Sequence, residues 1–342
     1  MLKKRSNFDS VDATKEYTLE ALVADANYTE TEIFLSNLES TTNSGVNSTT
    51  TKPIYHNGTD ENGRILGGTP LTAATFVSPF TAYVFIQSFN AVGVLIQECG
   101  GVILSTVWVL TAAHCVALAT DVTVFAGAIV NPLNTTTTQS TATKIIHPNF
   151  KQNCLLNDIA LLRLDTALKF SGTAGKASLS LVRPTTALDN IVFTTLGFGP
   201  PDDATVPVLI KDRAVKTAVD TQTLNNAWNN AQARASFVDV PSTLNVIDMQ
   251  NMNRATCNQQ TAPIYVLYPA NTGCLKTAGG TKGICNADPG GPVFYESPTD
   301  DFGKVIGINS QILGCPRQQP SSFTWIYPYI PWIHSKTFIN FL

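Results

Sequence analysis

All seven cysteines fall between Cys99 and Cys315. An odd count leaves one of them unpaired or available to another chain. From Phe76 onward the chain reads as short β-prone runs between turns: Ala82–Gln87, Val92–Gln97, Gly101–Leu104 and Trp108–Thr111. Many short strands with turn signals describe an all-β barrel or sandwich, and periodicity alone does not choose between them. A length of 342 residues holds one large all-β domain with an appendage, or two small domains. With 44 % apolar and only 14 % charged residues, there is ample material for a core and too little charge for a disordered chain. The net charge of −3, with no long run of one sign, argues against nucleic acid or an anionic surface as the main partner. No apolar run approaches the roughly 18 residues of a membrane span.

Residues 1–64 differ from the rest. They are polar, free of cysteine and rich in Ser, Thr and Asn, and are expected to be a mostly disordered N-terminal extension, with a helix over 11–37 as the alternative. Acceptors of the Asn-X-Ser/Thr type occur at Asn27, Asn47, Asn57 and Asn134. Paired cysteines and glycans both imply the secretory route and a secreted, extracellular protein. Residues 1–35 contain no apolar h-region, so a start called wrongly or a missing leader is expected rather than a cytosolic location.

Four strings carry a family resemblance. They are Arg64-Ile65-Leu66-Gly67-Gly68, Thr111-Ala112-Ala113-His114-Cys115, Asn157-Asp158-Ile159-Ala160-Leu161-Leu162 and Cys285-Asn286-Ala287-Asp288-Pro289-Gly290-Gly291-Pro292. Together they resemble the chymotrypsin/trypsin family of serine proteases over residues 65–335. The resemblance implies a double six-stranded antiparallel β-barrel with a C-terminal helix, and a division into a pro-segment at 1–64 and a protease-homologue domain at 65–342.

It also implies roles. His114 takes the general-base position and Asp158 orients it. Arg64 is the bond for an activating trypsin-like protease; Ile65 becomes the new terminus, whose ammonium pairs with Asp288. Cys99–Cys115, Cys257–Cys274 and Cys285–Cys315 are the implied bridges, which leaves Cys154 as the odd thiol. The strand end Thr194 to Gly199 resembles Gly-Trp-Gly with Phe198 for tryptophan. An expanded loop follows from Pro200 to Ala235, where Leu224, Trp228 and Ala231 share one helical face. The specificity pocket falls to Gly283, Ile284, Ser310, Gln311, Ile312 and Ser321. Gly283 stands where trypsin-like members carry aspartate, so a pocket for basic residues is not implied. Ile312 and Ser321 replace glycines and narrow the pocket. Only Asp121 is acidic between Asp121 and Thr143, so hard-cation ligands are lacking; no metal and no cofactor are expected.

The departure that matters stands at Pro289, where the family carries its nucleophilic serine. Proline has no hydroxyl and no backbone N–H. The second oxyanion donor would come from Ala287, where the family has glycine. The sequence therefore implies a secreted, non-catalytic homologue that binds an extracellular protein, a protease or its substrate, in a proteolytic or immune cascade. The alternatives are an active endopeptidase and a glycan- or membrane-binding homologue; the latter are strongly basic, and this chain is not.

Overall fold

The computed structural model describes residues 68–130, 138–152, 155–198, 243–261, 271–276, 283–284, 288–296, 303–310 and 320–341. The expected extension at 1–64, the loop around Trp228, the four glycosylation acceptors and Cys154 lie outside the described residues.

Thirteen strands are described. After the short β1 (Thr69–Pro70), six of them close on themselves: β2 (Tyr83–Phe89), β3 (Leu95–Ser105), β4 (Trp108–Thr111), β5 (Asp121–Ala126), β6 (Thr138–Ile146) and β7 (Ala160–Leu164). Their order around the barrel is β2-β3-β4-β7-β6-β5, every pairing antiparallel. Tyr83, Val84, Phe85 and Ile86 suit β2 to its place between β3 and β5. Large side chains that fit a pleated surface occupy consecutive positions and are buried on both faces.

The expected strand Val92–Gln97 and the expected strand Gly101–Leu104 are one strand, β3. Val92 and Val94 stand in the β2–β3 turn, where Asn90 Oδ1 accepts from both of their amides. Gly100 and Gly101 do not interrupt the ladder. A Cβ at Gly101 would lie 2.8 Å from Ile86 Cδ1 and from Val84 Cγ2, and one at Gly100 would lie 2.7 Å from Gly291 Cα. These glycines mark close approach, not a break.

The second sheet contains β8 (Val192–Gly197), β9 (Asn245–Met252), β10 (Thr272–Lys276), β11 (Pro292–Tyr295), β12 (Lys304–Asn309) and β13 (Ser321–Trp325). A β8–β9 pairing closes these six strands into a second barrel, and β1 adds to β9 from outside. Phe193, Phe323 and Trp325 fill its centre with edge-to-face contacts. The two barrels meet at an aromatic seam. Phe198, just after β8, packs on Tyr83 and Phe85 with ring centres 5.9 and 5.7 Å apart, and Phe80 packs on Phe294 at 5.8 Å.

Three helices are described: α1 (Ala113–Val116), α2 (Arg254–Thr261) and α3 (Ile330–Thr337). Pro331 opens α3, and Phe338 ends it in the left-handed region with φ 55°. Ile330 and Ile333 turn inward and pack on the core that runs into the first barrel. Among the described residues, no helix is long and apolar enough to cross a membrane.

Candidate active site

His114 is carried by a helix too short to hold itself, since one turn of helix is unstable alone. Its position comes from outside. The disulfide Cys99–Cys115 ties the next residue to β3, and Ser88 Oγ donates to Cys115 O at 2.8 Å. Asp158, two residues before β7, makes the decisive contact. Its Oδ1 accepts the His114 backbone N–H at 2.8 Å and its Oδ2 accepts from His114 Nδ1 at 2.7 Å. A carboxylate at Nδ1 fixes the proton there and leaves Nε2 as the free acceptor, the form a general base requires.

Asp158 is fully buried, which is costly without partners. Ser310 supplies one, its hydroxyl donating to Oδ2 at 2.5 Å, and Thr324 Oγ1 donates to the Asp158 carbonyl at 3.1 Å. Ser310 was expected among pocket residues; its side chain is spent on the aspartate instead. The adjacent Asn157 has φ 54° and anchors a second network. Its Oδ1 accepts from Tyr329 Oη at 2.8 Å and Asn271 Nδ2 at 2.9 Å, while its Nδ2 donates to Asn149 O at 2.9 Å. Asn271 Nδ2 also bonds Tyr329 Oη. Sequence reasoning assigned no role to Asn271 or Tyr329. His147 sits between the rings of Tyr329 and Trp332, with centres 5.1 and 5.0 Å away. Burial there lowers its pKa to about 4.

The second barrel brings the turn Asp288-Pro289-Gly290-Gly291 against this pair. Gly290 has φ 81°, and a Cβ there would fall 2.3 Å from Gly100 O and from Thr111 Oγ1, three residues ahead of His114. Only glycine meets both demands. Pro289 is buried, and its carbonyl accepts from Gly100 N at 2.7 Å. Gly290 N donates to Asn309 O at 2.7 Å, and Asn309 N donates to Gly291 O at 2.9 Å, so β12 clamps the turn from beneath.

Asp288 is fully buried. A Cβ on Gly197 would come within 1.9 Å of its Oδ1, so the glycine at the end of β8 makes the room. Burial, followed by the charges of Asp288 and Glu98, raises the pKa of the Tyr83 phenol well above its ordinary value.

Cys257, in α2, is bonded to Cys274 of β10, as the resemblance implied. Cys285–Cys315 lies outside the described residues, as do Arg64, Ile65, Ala287, Gln311 and Ile312. Gly283 is half-buried, and a Cβ there would meet nothing within 4 Å, so space does not forbid a side chain. Ile284 belongs to the apolar core of the second barrel, and Ser321 is buried opposite Leu275. Cys99, His114 and Cys115 bring potential ligand atoms within 4.8 Å of one another, but both sulfurs are committed to their mutual disulfide.

The family model described as Trypsin matches residues 65–333, well over half of the chain. The chain belongs to the trypsin family. Relatives within that family include brachyurin of Leptuca pugilator, 28 % identical over 71 % of this chain and 88 % of its own. The clotting factor G beta subunit of Tachypleus tridentatus is 24 % identical over 70 % of this chain and 71 % of its own. Venom serine protease 34 of Apis mellifera is 27 % identical over 80 % of this chain and 58 % of its own. A solved structure of HL collagenase superposes with a TM-score of 0.57 at 22 % identity, over 80 % of this chain and 99 % of that one, and so shares the trypsin-family fold.

Proposed function

We propose that this trypsin-family chain is a secreted, non-catalytic homologue that acts by binding an extracellular protein, as a cofactor or regulator of a proteolytic cascade. One observation carries the reading. The residue after Asp288, in the turn that packs beside the His114–Asp158 pair, is Pro289. A hydroxyl there would be the nucleophile and its N–H an oxyanion donor; proline supplies neither. In serine proteases of this kind, losing a triad member leaves about 10³–10⁴-fold acceleration over water. Losing one oxyanion donor removes about 10²–10³ of that. Little catalysis is left for the pair to support.

Cleavage after Arg64 by a trypsin-like protease would free the Ile65 ammonium to pair with Asp288, and so reorder the binding face. The two described disulfides support an extracellular setting. The relation to a clotting-factor subunit favours a cascade partner, itself a protease or its substrate.

The purified chain, cut after Arg64, should take no label from a fluorophosphonate probe and hydrolyse no peptide in a broad library. Covalent labelling would overturn the reading and favour the active endopeptidase, for which the intact His114–Asp158–Ser310 hydrogen bonds speak. Partner capture by uncut, cut and Arg64→Ala protein tests the switch; equal capture by all three removes it.

A further inference from the structure

The turn after His114 is tied to the barrel wall by one side chain. Three carbonyls, of Val116, Ala117 and Ala119, converge where α1 ends. Lys144, in β6 opposite Leu162 of β7, reaches across the barrel wall to all three. Its Nζ donates to Val116 O at 3.0 Å and to Ala117 O at 3.1 Å, and its third hydrogen bond goes to Ala119 O. An ammonium has three donors, and each has an acceptor here.

We propose that Lys144 is a positioning residue for His114. A four-residue helix runs out of amide donors at its end: Val116 O takes the Ala119 amide at 3.1 Å, and the Ala117 and Ala119 carbonyls lie beyond the last turn. Three carbonyl dipoles aimed at one point repel unless a donor sits between them. The remaining ties on this turn hold single points: the Cys99 disulfide and Ser88 hold Cys115, Asp158 holds the His114 amide, and Phe89 O accepts from Thr120 N at 2.7 Å. Lys144 ties Val116, Ala117 and Ala119 together from outside the turn, adding to the Ala119 N to Val116 O bond within it, and it does so from the strand that pairs directly with the Asp158-bearing side of the barrel. The same ammonium thus sets the spacing between the base and the strand that follows its orienter. Burial lowers the pKa of the amine, in keeping with its withdrawal from solvent. The inference does not depend on whether the site cuts or only binds, because it concerns where the imidazole sits.

The test compares the full chain with Lys144→Met and Lys144→Arg by NMR. In the wild type, His114 Nδ1–H should give a low-field resonance from its bond to Asp158. In Lys144→Met this resonance should broaden or vanish, and the Ala117 and Ala119 amides should exchange about ten- to a hundredfold faster. Amides of β13 should be unaffected. Lys144→Arg, which keeps charge and donors, should restore the resonance at least in part. A folded Lys144→Met protein with unchanged resonance and unchanged exchange overturns the proposal. Should that variant fail to fold, acetylation of the wild-type chain decides. Lys144 should react at least about tenfold more slowly than the exposed Lys169, since all its protons are engaged; equal rates overturn the proposal.

Discussion

Gly290 shows how much a single position can demand. Its positive φ and the 2.3 Å approach of two oxygens to any added Cβ act together. Gly290→Ala should therefore cost about 2–4 kcal/mol, combining backbone strain with overpacking; denaturant titration measures it. His147 makes a claim about pH. Its folded pKa, about 4, lies below the ordinary imidazole value of 6.5. The unfolded chain therefore binds a proton that the folded one refuses. The contribution is present in full above about pH 6.5 and is lost as pH falls toward 4. Because the ring is only half-buried, solvent screening reduces the effect to about 1–2 kcal/mol. His147→Gln should flatten the stability curve between these pH values, with any loss of ring packing appearing as an offset that does not vary with pH. Much at this scale was legible in the sequence: Thr111 to Cys115 and Asn157-Asp158 located the pair that the fold then placed at 2.7 Å. Asn271 and Tyr329 were not legible. Their bonds to Asn157 depend on which loops meet in space, and no spacing along the chain encodes that.

Among elements, α1 depends most on its surroundings. The Cys99–Cys115 link spans a sequence separation of 16 and anchors both ends of the histidine loop. Replacing both cysteines with alanine should lower stability by about 3 kcal/mol on the chain-entropy estimate. The loss should be accompanied by early opening of residues 113–119, read by hydrogen exchange. β3 shows where element reading from sequence fails. Two glycines look like punctuation, yet here they let another backbone and two core side chains lie close. A missing side chain has the same letter in a turn and in a tight strand crossing; only the partner across the gap tells them apart. The α3 helix was expected through the family resemblance; in the fold Pro331 stands at its start and Ile330 and Ile333 turn inward.

At the scale of the molecule, the site is made by two barrels, neither of which contains it. His114 and Asp158 come from the first; Ser310, Asp288 and Pro289 come from the second. Phe198 holds the seam from one side against two rings of the other. Phe198→Ala should cost about 3–5 kcal/mol as a large core truncation. It should also separate the unfolding transitions reported by Trp108 in the first barrel and Trp325 in the second. A single coincident transition would show that other contacts carry the coupling. The double-barrel architecture was legible only because several strings matched one family at once; alternation and turn residues by themselves left barrel and sandwich equal.

The bond from Gly100 N to Pro289 O bears on how such a molecule can change its occupation. The first barrel grips residue 289 by a carbonyl, a group common to all twenty amino acids. That grip does not depend on the side chain, and serine is no larger than proline: Pro289→Ser should fold as readily as the parent, and a lineage could gain or surrender the reactive oxygen in one step while its scaffold stayed fit for recognition.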